Sequence, residues 1–181
     1  MRVITGTAKG KRLVTPEGRD VTRPTGEKVK EGIFSSIQLF IEEAAVLDLF
    51  AGSGQLGIEA LSRGARSCVF VDSAKVAQKC ITENLKNCGF TDVAKLKTGD
   101  ALMYLSSAFE KFDIAFLDPP YAAEQLPVVL PAVSKVMRPG GIVLCETAKS
   151  IDLPEEAGKL IKAKEYRYGS TKVLMYKRGE D

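Results

Sequence analysis

Asp118-Pro119-Pro120-Tyr121 is the segment whose residue types define a chemistry most narrowly. Two consecutive prolines fix the backbone and remove competing N–H donors. The Asp118 carboxylate and the Pro119 carbonyl can then both accept hydrogen bonds from one exocyclic amino group. This draws the nitrogen toward tetrahedral geometry and aims its lone pair at an electrophile. Tyr121 can stack on the face of an extruded planar base. By itself the tetrapeptide also fits a strand-ending turn with a core tyrosine, so the rest of the chain has to decide.

The glycine run Gly52-Ser53-Gly54-Gln55-Leu56-Gly57 fits a GxGxxG loop after a strand and before a helix. Asp72 follows Gly52 by 20 residues. That is the dinucleotide fingerprint, with the acid placed to take ribose hydroxyls. Nucleotide enzymes and methyltransferases share it, and a tight βα turn without a ligand can carry it too. Asp48, at the end of the preceding strand, disfavours a pyrophosphate and suits a cationic amino-acid group. No histidine exists to act as a proton relay for a nicotinamide. S-adenosylmethionine (SAM) fits better, with its ammonium and sulfonium, a ribose for Asp72 and an adenine near Asp100 and Ala101. Acids stand at four successive strand ends: Asp48, Asp72 (followed by Ser73), Asp100 and Asp118.

Composition excludes rivals. The 181 residues contain no histidine and no tryptophan. Ser-His-Asp and Cys-His catalysis, His-ligated zinc and imidazole bases are therefore ruled out. The four cysteines, Cys68, Cys80, Cys88 and Cys145, form no CxxC pair. They read as free thiols in a reducing compartment, with no metal site expected. No signal-peptide core is visible at the start, and the longest uncharged stretches are ten residues each. Spanning a bilayer takes about 18 or more apolar residues. A soluble cytoplasmic monomer that binds no membrane is expected.

Charge is uneven along the chain. Residues 1–31 hold eight basic and four acidic side chains, a local net of +4, and the remaining 150 residues net −1. A basic arm ahead of a neutral domain fits a polyanion contact, nucleic acid above all. Charge alone fits a solvated amino-terminal segment equally well. Arg2–Thr5 and Arg12–Thr15 are expected to pair as short strands around Gly6–Gly10.

Positioning these residues falls to alternating strands and helices. Apolar runs predict strands at Ala45–Phe50, Ser67–Val71, Val93–Lys97, Phe112–Leu117 and Gly141–Glu146. Helical periodicity predicts Glu27–Ile41, with Val29, Ile33, Ile37, Phe40 and Ile41 on one face. Further helices are predicted over Gln55–Arg63, Ala74–Cys88, Ala101–Ser107 and Ala122–Met137, the last broken or kinked near Pro127 and Pro131. Ile161–Tyr168 and Thr171–Arg178 predict a terminal hairpin around Gly169-Ser170. The pattern is an α/β sheet, parallel in its main part, in one domain. Residues 1–25 would be the basic arm and residues 26–181 the catalytic core.

Taken with Asp118–Tyr121, the segment Asp48–Ala65, DLFAGSGQLGIEALSRGA, resembles the RsmD-type methyltransferases. The resemblance begins at Arg2-Val-Ile-Thr-Gly, passes through Arg23-Pro24-Thr25 and reaches Tyr168-Gly169-Ser170-Thr171. It implies a Rossmann-like class I SAM-dependent methyltransferase with a seven-stranded, mostly parallel sheet whose last strand is antiparallel. It implies SAM held by Asp48, Phe50, Gly52, Ser53, Gly54, Asp72, Ser73, Asp100 and Ala101. Asp118, Pro119, Pro120 and Tyr121 would hold the exocyclic N2 of guanine 966 in 16S rRNA, presented by the 30S subunit or an assembly intermediate. Lys9, Lys11, Arg12, Arg23, Thr25 and Lys28 would meet the RNA. This chain has Asp72 where the family commonly has Glu, and Gly26-Glu-Lys-Val-Lys30 where the family is richer in arginine. Adenine-N6 methylation of DNA and a non-catalytic RNA-binding assembly role on the same fold are the alternatives.

Overall fold

The structure is a computed structural model that describes residues 1–16, 25–120 and 122–180. Arg23, Tyr121 and the Thr25 side chain, all expected to contact RNA or base, lie outside the described residues.

Five strands, β1 (Ala45–Leu49), β2 (Ser67–Asp72), β3 (Ala94–Thr98), β4 (Phe112–Leu117) and β5 (Met137–Ala148), pair in parallel. They are joined by the helices α2 (Gln55–Ser62), α3 (Lys75–Cys88), α4 (Ala101–Ser107) and α5 (Ala122–Val136), with α1 (Thr25–Ile37) ahead of them. Three further strands, β6 (Glu156–Ala157), β7 (Leu160–Tyr168) and β8 (Thr171–Arg178), complete a sheet of order β3-β2-β1-β4-β5-β8-β7-β6. Of the seven main strands only β8 runs against the rest, as expected, and the two-residue β6 adds an eighth.

Strand alternation sorts side chains into two apolar layers. Val46, Phe70, Ile114, Phe116 and Leu144 face α1, α2 and α3. Leu47, Leu49, Leu117, Val143 and Cys145 face α4 and α5. The third glycine of the loop serves this packing, because a Cβ on Gly57 would sit 2.4 Å from the Phe70 ring and 2.7 Å from the Cys68 sulfur.

Three expectations are corrected. Helix α1 ends at Ile37 and tightens into a 3₁₀ turn over Gln38–Phe40. The tighter turn rotates Phe40 out of the apolar stripe, and it is 52% exposed, while Ile41 stays buried. Helix α5 runs unbroken through Pro127 and Pro131. Both prolines are exposed, so the carbonyls that lose a donor face water, while Leu126, Val129, Leu130 and Val133 stay buried against the sheet. The amino-terminal pairing shrinks to one antiparallel bridge, Arg2 with Arg12. Backbone bonds from Val3 N to Lys11 O at 2.9 Å and from Leu13 N to Met1 O at 3.0 Å flank that bridge, and Val3, Ala8 and Leu13 are buried in the layer above α2. Glu59 of α2 accepts the Ile4 and Thr5 N–H groups at 2.8 and 3.0 Å, and Ser62 Oγ accepts that of Ala8 at 3.0 Å.

Candidate active site

Strand order reverses between β1 and β4, the position where open α/β sheets bind ligands beyond their strand ends. Leu49 and Leu117 are register partners there. The glycine loop and Asp118 therefore leave adjacent strands at the same level.

Leaving β1, the chain takes an unusual path. Phe50 has φ +64°, a left-handed conformation that costs a bulky residue roughly 1–3 kcal/mol. Gly52 and Gly54 follow with φ +59° and +77°. A Cβ on Gly52 would meet nothing within 4 Å, so the loop presents bare backbone to open space. Gly54 caps the start of α2 and its N–H donates to Ala51 O at 2.7 Å.

Beyond the loop lies a cavity of about 410 Å³. Phe50, Gly52 and Ser53 line it together with Asp118, Pro119 and Pro120. Both expected motifs thus share one chamber. Pro119 is buried, and Asp118 is partly exposed.

Asp72 anchors the loop. Its carboxylate accepts the Gly52 N–H at 2.9 Å and the Ala74 N–H at 2.8 Å. A carboxylate has about four acceptor sites, so these two bonds leave capacity for hydroxyls. Ser73 beside it is exposed. Asp100 caps α4, accepting from the Leu102 and Met103 N–H groups at 2.9 and 3.1 Å, and Ala101 is buried next to it. Asp72, Ser73, Asp100 and Ala101 flank the loop at the carboxyl edge and do not line the cavity.

Asp48 departs from its expected place. Its side chain points under α2, where Oδ2 accepts the Gly57 N–H at 2.8 Å, and the residue is only 3% exposed. Burial pushes its carboxyl up to about 8, against the opposing effect of the Gly57 bond. It holds the loop from below and does not line the cavity. A strand-end acid signals only that the end is near a site; the alternation of the strand decides which way it points.

Sequence reasoning missed several lining residues. Met1, Thr15 and Pro16 of the hairpin, Lys30 and Ile33 of α1, and Glu146 of β5 all border the cavity. Glu146 closes the strand predicted over Gly141–Glu146, the signal that could have found it, although β5 itself runs on to Ala148. Lys30 is one of the eight basic residues in the first 31, but burial lowers its ammonium pKa despite the neighbouring Glu59. Of the expected RNA contacts, Lys9, Arg12 and Lys28 are exposed. Lys11 is exposed too, but its ammonium already donates to Asn87 O in the last turn of α3.

A doubly wound sheet with a glycine loop and Asp-Pro-Pro at its switch point defines the class: a Rossmann-like methyltransferase. Residues 1–177 match the family described as Conserved hypothetical protein 95, and the chain belongs to that family. It is 40% identical over 183 residues to YlbH of Bacillus subtilis (strain 168), named provisionally as an rRNA methyltransferase, with 98% of this chain and 99% of that one covered. Ribosomal RNA small subunit methyltransferase D of Haemophilus influenzae is 33% identical over 155 residues, covering 82% of this chain and 79% of its own. The solved structure of yhhF from Escherichia coli, titled a methyltransferase, matches with a TM-score of 0.89 at 26% identity, over 100% of this chain and 99% of that one. The resemblance to RsmD-type methyltransferases is borne out at the level of family.

Proposed function

We propose that the protein transfers a methyl group from SAM to the exocyclic N2 of guanine 966 in 16S rRNA. It would act in the cytoplasm as a monomer, on the small subunit or an assembly intermediate. The observation that carries this reading is the shared chamber of the glycine loop and Asp118, set by the Leu49–Leu117 register.

The residues present fit SAM. Bare backbone at Gly52 faces open space, and Asp72 keeps acceptor capacity beside the loop. When bound, SAM supplies an electrophilic methyl on a sulfonium that leaves without acid assistance. Gly52 and Ser53 would border the amino-acid part, Asp72 the ribose, and Asp100 with Ala101 the adenine. Asp118 Oδ and the Pro119 carbonyl would accept the amine hydrogens and fix its lone pair in line. Tyr121 would stack on the base. The amine proton becomes strongly acidic as the new N–C bond forms and needs no tuned base, which suits a chain without histidine. Alignment supplies most of the rate in such a reaction. Exposed Lys9, Arg12 and Lys28 would meet rRNA phosphates, joined by Lys11, Arg23 and Thr25 in the same amino-terminal region.

Labelled SAM, 30S subunits from a strain lacking this modification, and mapping of the labelled nucleotide test the reading. Label at N2 of guanine 966 is expected. Equal labelling of DNA oligonucleotides at adenine N6 would replace it with the DNA reading.

A further inference from the structure

Glu146 of β5 is a second carboxylate in the chamber beside Asp118. Its position follows from register. Leu117 of β4 pairs with Cys145 of β5, so the next residues, Asp118 just past the end of β4 and Glu146 within β5, follow side by side on neighbouring strands, whose spacing is about 4.8 Å. Leu117 and Cys145 face the α4–α5 layer, and Phe116 and Leu144 face the α1 layer. Alternation therefore sends Asp118 and Glu146 out on the α1 side together, and both line the cavity. On the far flank, Glu146 pairs with Val173 of β8, which is buried and apolar. Among the described residues, the acidic edge of the chamber thus consists of these two neighbours.

We propose that Glu146 is the specificity-determining residue of the base pocket, accepting the N1–H of guanine while Asp118 holds the N2 amine. This assignment rests on the reading of the site as an N2-guanine methyltransferase. Guanine carries two adjacent donors on one edge, N1–H and N2–H. Two adjacent acceptors complement that edge. Adenine and 2-aminopurine instead present a lone pair at N1, which a carboxylate repels. Sites built around a substrate N–H reject analogues lacking it far more strongly than apolar pockets reject a missing methylene. Glu146→Gln keeps the size and can turn its NH₂ toward an N1 lone pair.

The test uses the full-length protein and small-subunit particles reconstituted with ligated 16S rRNA carrying guanine or 2-aminopurine at the target. Both bases offer an N2 amine; 2-aminopurine lacks the N1 hydrogen and the O6 oxygen, and comparison of wild type with Glu146→Gln isolates the N1 contact. The wild type is expected to prefer guanine in kcat/KM by on the order of 100-fold. Glu146→Gln is expected to narrow that ratio at least about tenfold, with SAM affinity and thermal midpoint unchanged. An unchanged ratio in the variant, or an equal loss on both substrates, overturns the role of Glu146 and leaves the methyltransferase reading standing. Failure of the wild type to methylate guanine particles overturns that reading and this assignment with it.

Discussion

Lys30 Nζ lies 3.2 Å from Glu59 Oε2, with the two side chains 1% and 0% exposed. The pair joins α1 to α2 beneath the hairpin. Lys30 also donates to Arg2 O at 2.7 Å, and Arg63 donates to the other Glu59 oxygen at 2.9 Å. Glu59 thereby gathers donors from the hairpin, α1 and its own helix. Removing one partner strands a buried charge, at a cost of about 3–5 kcal/mol. Glu59→Gln should lose stability of that order in urea unfolding and expose residues 1–16 to limited proteolysis. A loss below about 1 kcal/mol would mean that the pair is dispensable.

Asp118→Ala should abolish methyl transfer to 30S subunits while SAM affinity stays within several-fold. The carboxylate lines the chamber beyond β4, whereas Asp72 anchors the glycine loop directly. Near-wild-type turnover in the variant would remove Asp118 from the mechanism.

Asp48 makes stability depend on pH. Its folded carboxyl is raised to about 8 by burial, far above an unfolded aspartate near 3.8. Between these values the folded state holds a proton that the unfolded state lacks. Stability from this group is therefore full below about pH 4 and falls as pH rises toward 8, by at most about 1.4 kcal/mol per pH unit. Asp48→Asn keeps an oxygen for the Gly57 N–H and cannot ionise. Urea unfolding from pH 5 to 8 should show a negative slope in the wild type and a flatter one in the variant. Identical slopes would disprove the assignment.

Lys9 and Arg12 are exposed on the hairpin, and among the described residues neither side chain makes a hydrogen bond or ion pair that supports the fold. Their joint replacement by Ala should weaken rRNA binding and reduce the slope of log K against log salt by roughly 1.4–1.8. Lys11 is kept in this variant, because its bond to Asn87 O confounds a binding defect with a structural one. A wild-type slope would place the hairpin away from the RNA.

The chain's sequence by itself determined the order of strands and helices, the glycine loop, the strand-end acids and the terminal hairpin at Gly169-Ser170. These are local properties: apolar period, turn residues and spacing are readable within windows of about a dozen residues. Tertiary structure alone decided where the charges went. Whether Asp48 faces a ligand or a helix backbone depends on α2 lying over β1, and the Asp48–Gly57 bond expresses that packing. Lys30 looks like any other basic residue of the first 31 until Glu59 meets it from another helix. The hairpin docks through bonds between residues 54 and 55 positions apart in the chain. Even the exposed face of α5, which tolerates Pro127 and Pro131, exists only because the opposite face is buried on the sheet. Burial of a charge or of a face is set by partners distant in sequence, and no local window contains both sides of such a contact.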